Sequence, residues 1–426
     1  MIKTLSLALL LAGTGLIAAC GDSAGPDDDG DTAKLVVMTR NLYVGTDVDA
    51  VILALRTEDP SDDFPALLNA ITTLQRTDFP ARAAAIADEI ATIRPHAIGL
   101  QEVSEVDVAL PVPGINIQQD FLSTLLAELD ERGLDYVPAA QVRNIEAAPF
   151  PGVTLVDSDV ILVDQGRVTV GATTAQNFGE NLGEVAPGVS LVRGWVTARV
   201  TVSGTEITLA STHLESGSFE GLTELRASQA QELLESLDHD VPAILMGDLN
   251  DIPGSPMYQA VIGAGFRDVW ESLQPGVEGN TCCHLADLSN EAPALVSRID
   301  YIFARGLEQL GAEVAGTVEL LGESSADRIA GTMGSIWPSD HAGLTAELSL
   351  PNVLAGRVTG TSLRRGRAEG ALRTSTSSRA LHLAGPERGE GLRVNSARDG
   401  STDRSRRQWT SMSSRAERGI GRANVG

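Results

Sequence analysis

Residues 243–251, AILMGDLND, join an apolar run of strand length to a group of hydrogen-bonding side chains. Alternate residues of a strand share a face, so Asp248 and Asn250 are predicted to point the same way while Leu249 points into the core. Two oxygen ligands projected together suit Mg²⁺ or Ca²⁺, or the holding of a water against phosphorus. Asp and Asn are also common turn formers, and a plain turn explains this stretch equally well on its own.

Five further short apolar segments carry polar residues at one end. They supply Asn41 in TRNL, Glu102 in LQEV, His213 in STHL, Asp300 in RIDYIF, and Asp340 with His341 in SDHAGL. Each has a structural explanation when taken alone: a strand running into solvent, a structural histidine, or a turn capped by an aspartate. Their recurrence at strand ends predicts a shared site, because a buried strand carries a polar residue at low cost only where that residue finds a partner.

Helical and strand periodicities alternate between these motifs. Apolar residues at helical spacing predict helices over 48–55, 66–75, 79–94, 120–132, 222–237 and 255–263. Segments rich in Val, Ile and Thr predict strands over 34–42, 97–103, 155–163, 167–172, 191–202, 206–214, 243–248 and 297–305, with a last one after SDH. Residues 265–296 have neither period and are predicted to be an irregular insertion that selects the substrate.

The ordered motifs TRNL, LQEV, STHL, GDLN, RIDYIF and SDHAGL resemble the endonuclease/exonuclease/phosphatase superfamily over residues 34–351. That superfamily includes DNase I, abasic-site endonucleases, bacterial sphingomyelinases and inositol-polyphosphate 5-phosphatases. The resemblance implies an α/β fold, a four-layer α/β/β/α sandwich in which helices flank two mixed, mostly antiparallel sheets. The order of predicted elements is compatible with that architecture.

The resemblance also implies a role for each polar strand end. The implied metal ligands are Asn41, Glu102 and, through water, Asp340, and the implied catalytic residues are His213, Asp248, Asn250, Asp300 and His341. His341 would be the general base, oriented by Asp300, while His213 would donate to the phosphoryl oxygens. Asp248 and Asn250 would orient the attacking water and a phosphate oxygen. The implied cofactor is Mg²⁺, with Mn²⁺ or Ca²⁺ as substitutes.

Charge is divided unevenly along the chain. The 426 residues carry a net charge of −25, but residues 352–426 hold 15 Arg and 6 acidic residues, a net of +9, which leaves −34 for residues 1–351. A body this acidic repels a polyanion at long range, and aromatic residues, at 4 %, offer few stacking platforms. Nucleic acid is therefore possible as a substrate but not favoured.

The N-terminus predicts export. Lys3 precedes an apolar run over residues 5–19 that is too short for a comfortable membrane span, and Ile17-Ala18-Ala19-Cys20 resembles a bacterial lipobox. By that resemblance residues 1–20 form a lipoprotein-type signal peptide, Cys20 is lipidated, and Gly21 favours the outer membrane or cell surface. An ordinary secretory signal is the alternative. Residues 21–33, rich in Asp and Gly, predict a flexible tether, with Ca²⁺ binding as a weaker alternative.

Two segments keep several interpretations. Residues 352–426, dense in Arg, Gly and Ser, predict a disordered tail, either an uncommitted extension or a binder of anionic lipid or polysaccharide. Cys282-Cys283-His284 is interpreted as a structural or vicinal-disulfide element, and zinc binding would need ligands that the sequence does not show.

The sequence thus predicts a monomeric, exported phosphoesterase that depends on a divalent metal and hydrolyses a phosphodiester or phosphomonoester by in-line water attack. A lipid or a small phosphoester is the favoured substrate, because the membrane tether and the acidic body suit it. The alternatives are an extracellular nuclease and a surface lipoprotein that keeps the fold as a non-catalytic binding module. The second alternative is disfavoured because Glu102, Asp248, Asp300 and His341 are all retained.

Overall fold

A computed structural model describes residues 32–112, 115–217, 220–307 and 314–351. The described helices are α1 (Val48–Leu55), α2 (Asp63–Arg76), α3 (Phe79–Ile93), α4 (Phe121–Glu131), α5 (Leu222–Ser236), α6 (Pro256–Gly263) and α7 (Val269–Leu273). The strands up to the middle of the chain are β1 (Thr32–Asn41), β2 (Ala97–Gln101), β3 (Glu105–Ala109), β4 (Asn116–Asp120), β5 (Tyr136–Phe150), β6 (Val153–Asp164), β7 (Val168–Asn177), β8 (Gly183–Ala186) and β9 (Val189–Leu191). The later strands are β10 (Gly194–Val202), β11 (Thr205–His213), β12 (Ala243–Asp248), β13 (Arg267–Asp268), β14 (Asp300–Arg305), β15 (Gly316–Leu321), β16 (Ile329–Gly331), β17 (Gly334–Ile336) and β18 (Gly343–Pro351).

Two large sheets form the centre of the described structure. The first has the order β15-β18-β1-β2-β6-β5-β9-β8, with β3 added to β6 and β4 to β3. The second has the order β13-β14-β12-β11-β10-β7. Each sheet is antiparallel except for one parallel pair, β1 with β2 and β11 with β12. Those parallel pairs matter for the site because they align the carboxyl ends of two strands at the same edge of each sheet.

The sheets pack face to face, and helices cover their outer faces. Residues from both sheets, such as Val37 and Ile244, form the apolar core between them. Helices α3 and α4 pack on the outside of the first sheet through a second core that includes Phe79 and Phe121. Helices α5 and α6 cover the second sheet. The predicted four-layer α/β/β/α sandwich is therefore confirmed.

The predicted elements that flank the motifs are present with small shifts of their ends. Strand β1 begins at Thr32, two residues inside the predicted tether, and the insertion 265–296 contains the short elements β13 and α7. Strands β3, β4, β5, β8, β15, β16 and β17 were missed. Strand β5 contains Pro138 and Pro149 and three register irregularities, so its side chains do not keep the simple alternation that reveals a strand.

Two predicted segments lie outside the described residues. These are the signal peptide with Cys20 and almost all of the tether at the N-terminus, and the Arg-rich segment 352–426. Among the described residues, no helix combines the length and the apolar character needed to cross a membrane.

Candidate active site

The alternation of side chains in the strands brings the predicted residues to one edge between the sheets. In β12, Ile244 and Met246 face the core between the sheets, and Asp248 follows in the same phase. On β1, Asn41 lies on the same face as Val37, which points into the core between the sheets. On β11, His213 lies on the same face as Leu209, which also points into that core. Because the inward faces of the two sheets oppose each other, polar groups that end these strands meet at the rim of the sandwich.

Strand register fixes three of these groups in a row. His213 on β11 is paired with Asp248 on β12, and Asp248 is paired with Asp300 on β14. Directly paired residues point to the same side of a sheet and lie about 5 Å apart. The row also requires Gly247, whose φ of +152° few other residues adopt and where a Cβ would collide with the carbonyl oxygen of Thr212.

His341 completes a hydrogen-bonded pair with Asp300. Its Nδ1 lies 2.9 Å from Oδ2 of Asp300 and 3.7 Å from Oδ2 of Asp248. A carboxylate can only accept, so Nδ1 donates, and the lone pair of the neutral ring is on Nε2. Burial lowers the pKa of His341, but Asp300, Asp340 and Asp248 outweigh it, and the pKa is raised well above its usual value. His341 is thus a strong proton acceptor.

Asp248 lies between the two histidines. Its Oδ2 is 3.6 Å from Nε2 of His213 and accepts a hydrogen bond from Nδ2 of Asn41 at 3.1 Å, while its Oδ1 accepts from the backbone N–H of Asn250. Burial and the neighbouring Asp300 raise the pKa of Asp248 to about 7. Asn250 has φ +51° and donates its side-chain amide to the carbonyl of Leu214, which fixes the turn that follows β12.

His213 is held in its neutral form. Burial, Arg193 and His341 lower the pKa of His213 well below its usual value, so its contact with Asp248 is not an ion pair. The backbone N–H of His213 donates to Oδ2 of Asp159 at 3.0 Å. A neutral imidazole keeps one N–H that can donate to an anionic oxygen.

Glu102, Asn41 and Asp340 form the acidic side of the rim. Asn41 donates from Nδ2 to Oε1 of Glu102 at 3.1 Å, and its Oδ1 accepts from the backbone N–H of Tyr43, so the amide oxygen points away from the carboxylates. Oδ1 of Asp340 is buried without a hydrogen-bond partner. Burial and the charge of Glu102 raise the pKa of Asp340 to about 7 against the lowering effect of His341. Two carboxylates that repel each other beside an unpartnered oxygen fit a divalent cation.

Most of these groups line one cavity. Its volume is about 340 Å³, and Glu102, His213, Asp248, Asn250, Asp340 and His341 are in its wall. Asn41 and Asp300 lie behind this wall and contact the lining residues. The wall also contains the Cys282–Cys283 disulfide, with Sγ of Cys283 3.8 Å from Nε2 of His341. His284 stacks on Trp337 and does not join a metal-binding cluster in the described residues.

Sequence reasoning missed three charged residues of the site. Arg193 is buried in the cavity wall, where it contacts Glu215 and Ser216, and its Nη1 has no hydrogen-bond partner. Asp157 and Asp159 lie on β6 in the same inward phase as Ile161 and Val163. That phase was visible in the predicted strand 155–163, where two carboxylates occupy positions that a core strand normally fills with apolar residues.

Two clusters of carboxylate and histidine ligands lie beside this cavity, and a third group in the described residues combines His341 with the disulfide-bonded Cys282 and Cys283. Asp248, Asp300 and His341 form one, and Asp157, Asp159 and His213 form the other, each with its atoms within 4.8 Å of one another. Burial raises the pKa of Asp159 to about 7 and that of Asp157 well above its usual value. The site therefore concentrates negative charge, and its acidic and histidine groups are suited to hold a metal.

Asp248, Asp300 and His341, which meet at the rim of the sandwich, all lie in a segment of the chain that matches the sequence model of a protein family. The model of the endonuclease/exonuclease/phosphatase family matches residues 73–341, more than half of the chain. The chain belongs to this family. The match ends at His341 and includes every predicted site residue except Asn41, and members of the family are hydrolases that act on phosphoester bonds.

Several solved structures are similar to this chain at low identity. They include an endonuclease/exonuclease/phosphatase from Beutenbergia cavernae DSM 12333, 23 % identical, covering 74 % of this chain and 72 % of that chain with a TM-score of 0.48. Humanized TDP2 from D. rerio is 21 % identical, with 74 % and 98 % covered and a TM-score of 0.42. The human Nocturnin catalytic domain is 16 % identical, with 75 % and 94 % covered and a TM-score of 0.41. Among curated proteins, none matches the chain in sequence.

Proposed function

We propose that this protein is a phosphoesterase that depends on a divalent metal, Mg²⁺ in the first place with Mn²⁺ or Ca²⁺ as substitutes, and hydrolyses its substrate by in-line attack of water. The observation that carries the proposal is the His341 ring, held by Asp300 at 2.9 Å and opening into a cavity walled by Glu102, Asp340 and Asp248. A buried, oriented imidazole whose Nε2 lies in the cavity wall, 3.8 Å from the Cys283 sulfur, is suited to act as a general base.

The surroundings of each residue of the site suit it to one step of the hydrolysis. Nε2 of His341 takes the proton of the attacking water, and Asp300 stabilises the imidazolium that forms. Asp248, fixed by Asn41 and Asn250, accepts a hydrogen bond from that water and keeps it in line. Neutral His213 donates its N–H to a phosphoryl oxygen, and the free Nη1 of Arg193 extends the same donor set. A metal held by Glu102 and Asp340 would neutralise the charge that develops on the phosphoryl group.

The proposed substrate is a lipid or a small phosphoester rather than nucleic acid. Residues 1–351 carry a net charge of −34, which opposes the approach of a polyanion, and the 340 Å³ cavity is of the size that takes a headgroup. Export and anchoring through a lipidated Cys20 would place the enzyme at a membrane surface. We keep the outer membrane or cell surface as its proposed location and a monomer as its proposed state.

The test is hydrolysis by the full-length protein with Mg²⁺, Mn²⁺ or Ca²⁺, and with EDTA. The panel contains sphingomyelin, inositol phosphates, bis(p-nitrophenyl) phosphate and plasmid DNA. We expect EDTA-sensitive release of phosphocholine, phosphate or p-nitrophenol, according to the substrate, with DNA the poorest substrate. Preferential cleavage of DNA would establish the nuclease alternative, and a folded protein inert on the whole panel would favour the binding module.

His341→Ala identifies the base. We expect its kcat to fall about 10²- to 10⁴-fold, as for the loss of a general base. The matched control is His239→Ala, because His239 is exposed and does not line the cavity. Circular dichroism of both variants separates lost chemistry from lost folding, and a His341→Ala variant with full activity would remove His341 from the mechanism.

A further inference from the structure

An apolar pocket adjoins the catalytic cavity. It has a volume of about 80 Å³ and lies between α1 and α2 on one side and strands β3, β5, β6 and β9 on the other. Its described lining has no charged side chain, and only Thr46 and Thr154 contribute hydroxyl groups. We call it the apolar pocket.

The pocket and the catalytic cavity share part of their walls. Val44, Thr46, Val48, Ile52 and Leu155 line both. The backbone N–H of Val44 donates to Oε2 of Glu102 at 2.8 Å, so one shared residue directly contacts a proposed metal ligand. The hydrocarbon surface therefore begins within one residue of the acidic centre.

The helix that borders the pocket is unusually apolar. Helix α1, VDAVILAL, has one polar residue, Asp49, so it lacks the polar face of an ordinary surface helix. Val51 and Ile52 face the pocket, while Leu53 remains 53 % exposed. A helix with apolar residues on nearly every face, beside a gap lined by hydrocarbon, is suited to contact a hydrocarbon ligand.

We propose that the apolar pocket binds the alkyl or acyl chain of a phosphoester whose phosphate lies in the catalytic cavity. This inference rests on the proposed function and narrows its substrate class to phosphoesters with a hydrocarbon chain. A methylene occupies roughly the 30 Å³ share of one liquid water, so about three carbons fill the pocket. A nucleotide base or a second phosphate does not suit it, because both carry polar atoms that would lose their hydrogen bonds there.

A homologous series of p-nitrophenyl alkyl phosphates, from methyl to octyl, tests the inference on the full-length protein with Mg²⁺. We expect kcat/KM to rise about fourfold per methylene, about 60-fold over three, and then to level off as the pocket fills. Hydrolysis at a rate that does not depend on chain length would overturn the inference and leave the proposed function intact. Failure to hydrolyse any member would overturn the inference, and failure on the inositol phosphates and bis(p-nitrophenyl) phosphate as well would contradict the proposed function itself.

One variant inside the pocket and one outside it distinguish binding of the chain in the pocket from nonspecific hydrophobic binding of longer chains. Ala70 on α2 lines the pocket, and Ala70→Leu fills it, so the ratio of kcat/KM for the hexyl and methyl esters should fall about tenfold or more. Ala66→Leu makes the same change one turn away, outside the pocket, and should keep the wild-type ratio. If Ala70→Leu does not fold, Val48→Thr at the shared wall serves instead. A wild-type ratio in the folded pocket variant would overturn the inference.

Discussion

At the scale of single residues, the hydrogen bond between Asp300 and His341 holds the imidazole of the site in place. Asp300 is 1 % exposed, and its contact with His341 both orients the ring and raises its pKa. The partner of Asp300 in the sheet is Asp248, so two acids on neighbouring strands face one imidazole. The orientation of the His341 ring is therefore set by strand pairing rather than by a loop.

Asp300→Asn should test the effect of Asp300 on the His341 ring without unfolding the protein. The variant keeps the shape of the side chain but removes a charge that raises the pKa of His341, so that pKa should fall. A base must be unprotonated, and activity is lost as pH falls through its pKa, so the acid limb of the profile should move to lower pH. The maximal rate should fall about 10²- to 10⁴-fold. The measurement is kcat/KM against pH, and an unmoved limb with full activity would contradict the assignment.

Arg193 contributes a hydrogen-bond donor to the site although it belongs to none of the six motifs. It immediately precedes β10, and nothing in its sequence neighbours marks it. Its role depends on Glu215 and Ser216, which follow β11, and on the cavity that the two sheets create. An unpartnered guanidinium N–H in a cavity rich in acids is a donor available for a substrate oxygen.

At the scale of secondary-structure elements, a histidine links two strands of the first sheet. Nδ1 of His96, just before β2, accepts from the backbone N–H of Val36 on β1 at 3.0 Å, and the N–H of His96 donates to the carbonyl of Val36. Burial and Arg167 lower the pKa of His96 to about 4. His96 therefore stays neutral in the folded protein under mildly acidic conditions.

This pKa predicts an acid-dependent loss of stability. The unfolded chain protonates His96 near pH 6.5 and the folded chain only near pH 4, so the unfolded state binds more protons in that window. The stabilisation is complete above pH 6.5 and falls by about 2 kcal/mol as pH drops from 6.5 to 4. His96→Asn, whose Oδ1 can replace Nδ1 as acceptor, should flatten the slope. Urea unfolding at several pH values measures it, and an identical slope in the variant would contradict the prediction.

At the scale of the whole molecule, negative charge accumulates where the two sheets meet. Asp157 and Asp159 on β6 converge at the rim with Glu102, Asp248 and Asp340 from three other parts of the chain, and burial raises the pKa values of the four aspartates. The fold tolerates this repulsion at a cost in stability that a bound cation would offset.

A divalent metal should therefore stabilise the folded protein. At a Mg²⁺ or Mn²⁺ concentration of 100 times the Kd, stability should rise by about 2.7 kcal/mol, which raises Tm by about 5 °C. Glu102→Gln should remove most of this shift, whereas Glu105→Gln, on the exposed side of β3, should keep it. Differential scanning calorimetry with and without EDTA measures the effect. An equal shift in both variants would place the metal elsewhere.

The sequence by itself determined the parts of this protein that depend on local period and short motifs. Period-2 and period-3.6 patterns located most of the described helices and about half of the described strands, and six motifs identified the family and the polar residues at strand ends. Those signals are local, because a strand end and its polar residue lie within a few positions of each other. Strand β5, with two prolines and irregular register, gave no such signal.

Only the tertiary structure decided which of these residues meet. The pairing of His213, Asp248 and Asp300, the approach of His341, and the arrival of Arg193, Asp157 and Asp159 depend on register between strands that lie far apart in the chain. The apolar pocket is likewise a gap between two helices and a sheet, and no single element contains it. Non-local pairing leaves no periodic trace in any one segment, so the composition of the site and of the pocket emerges only when the two sheets and their helices pack together.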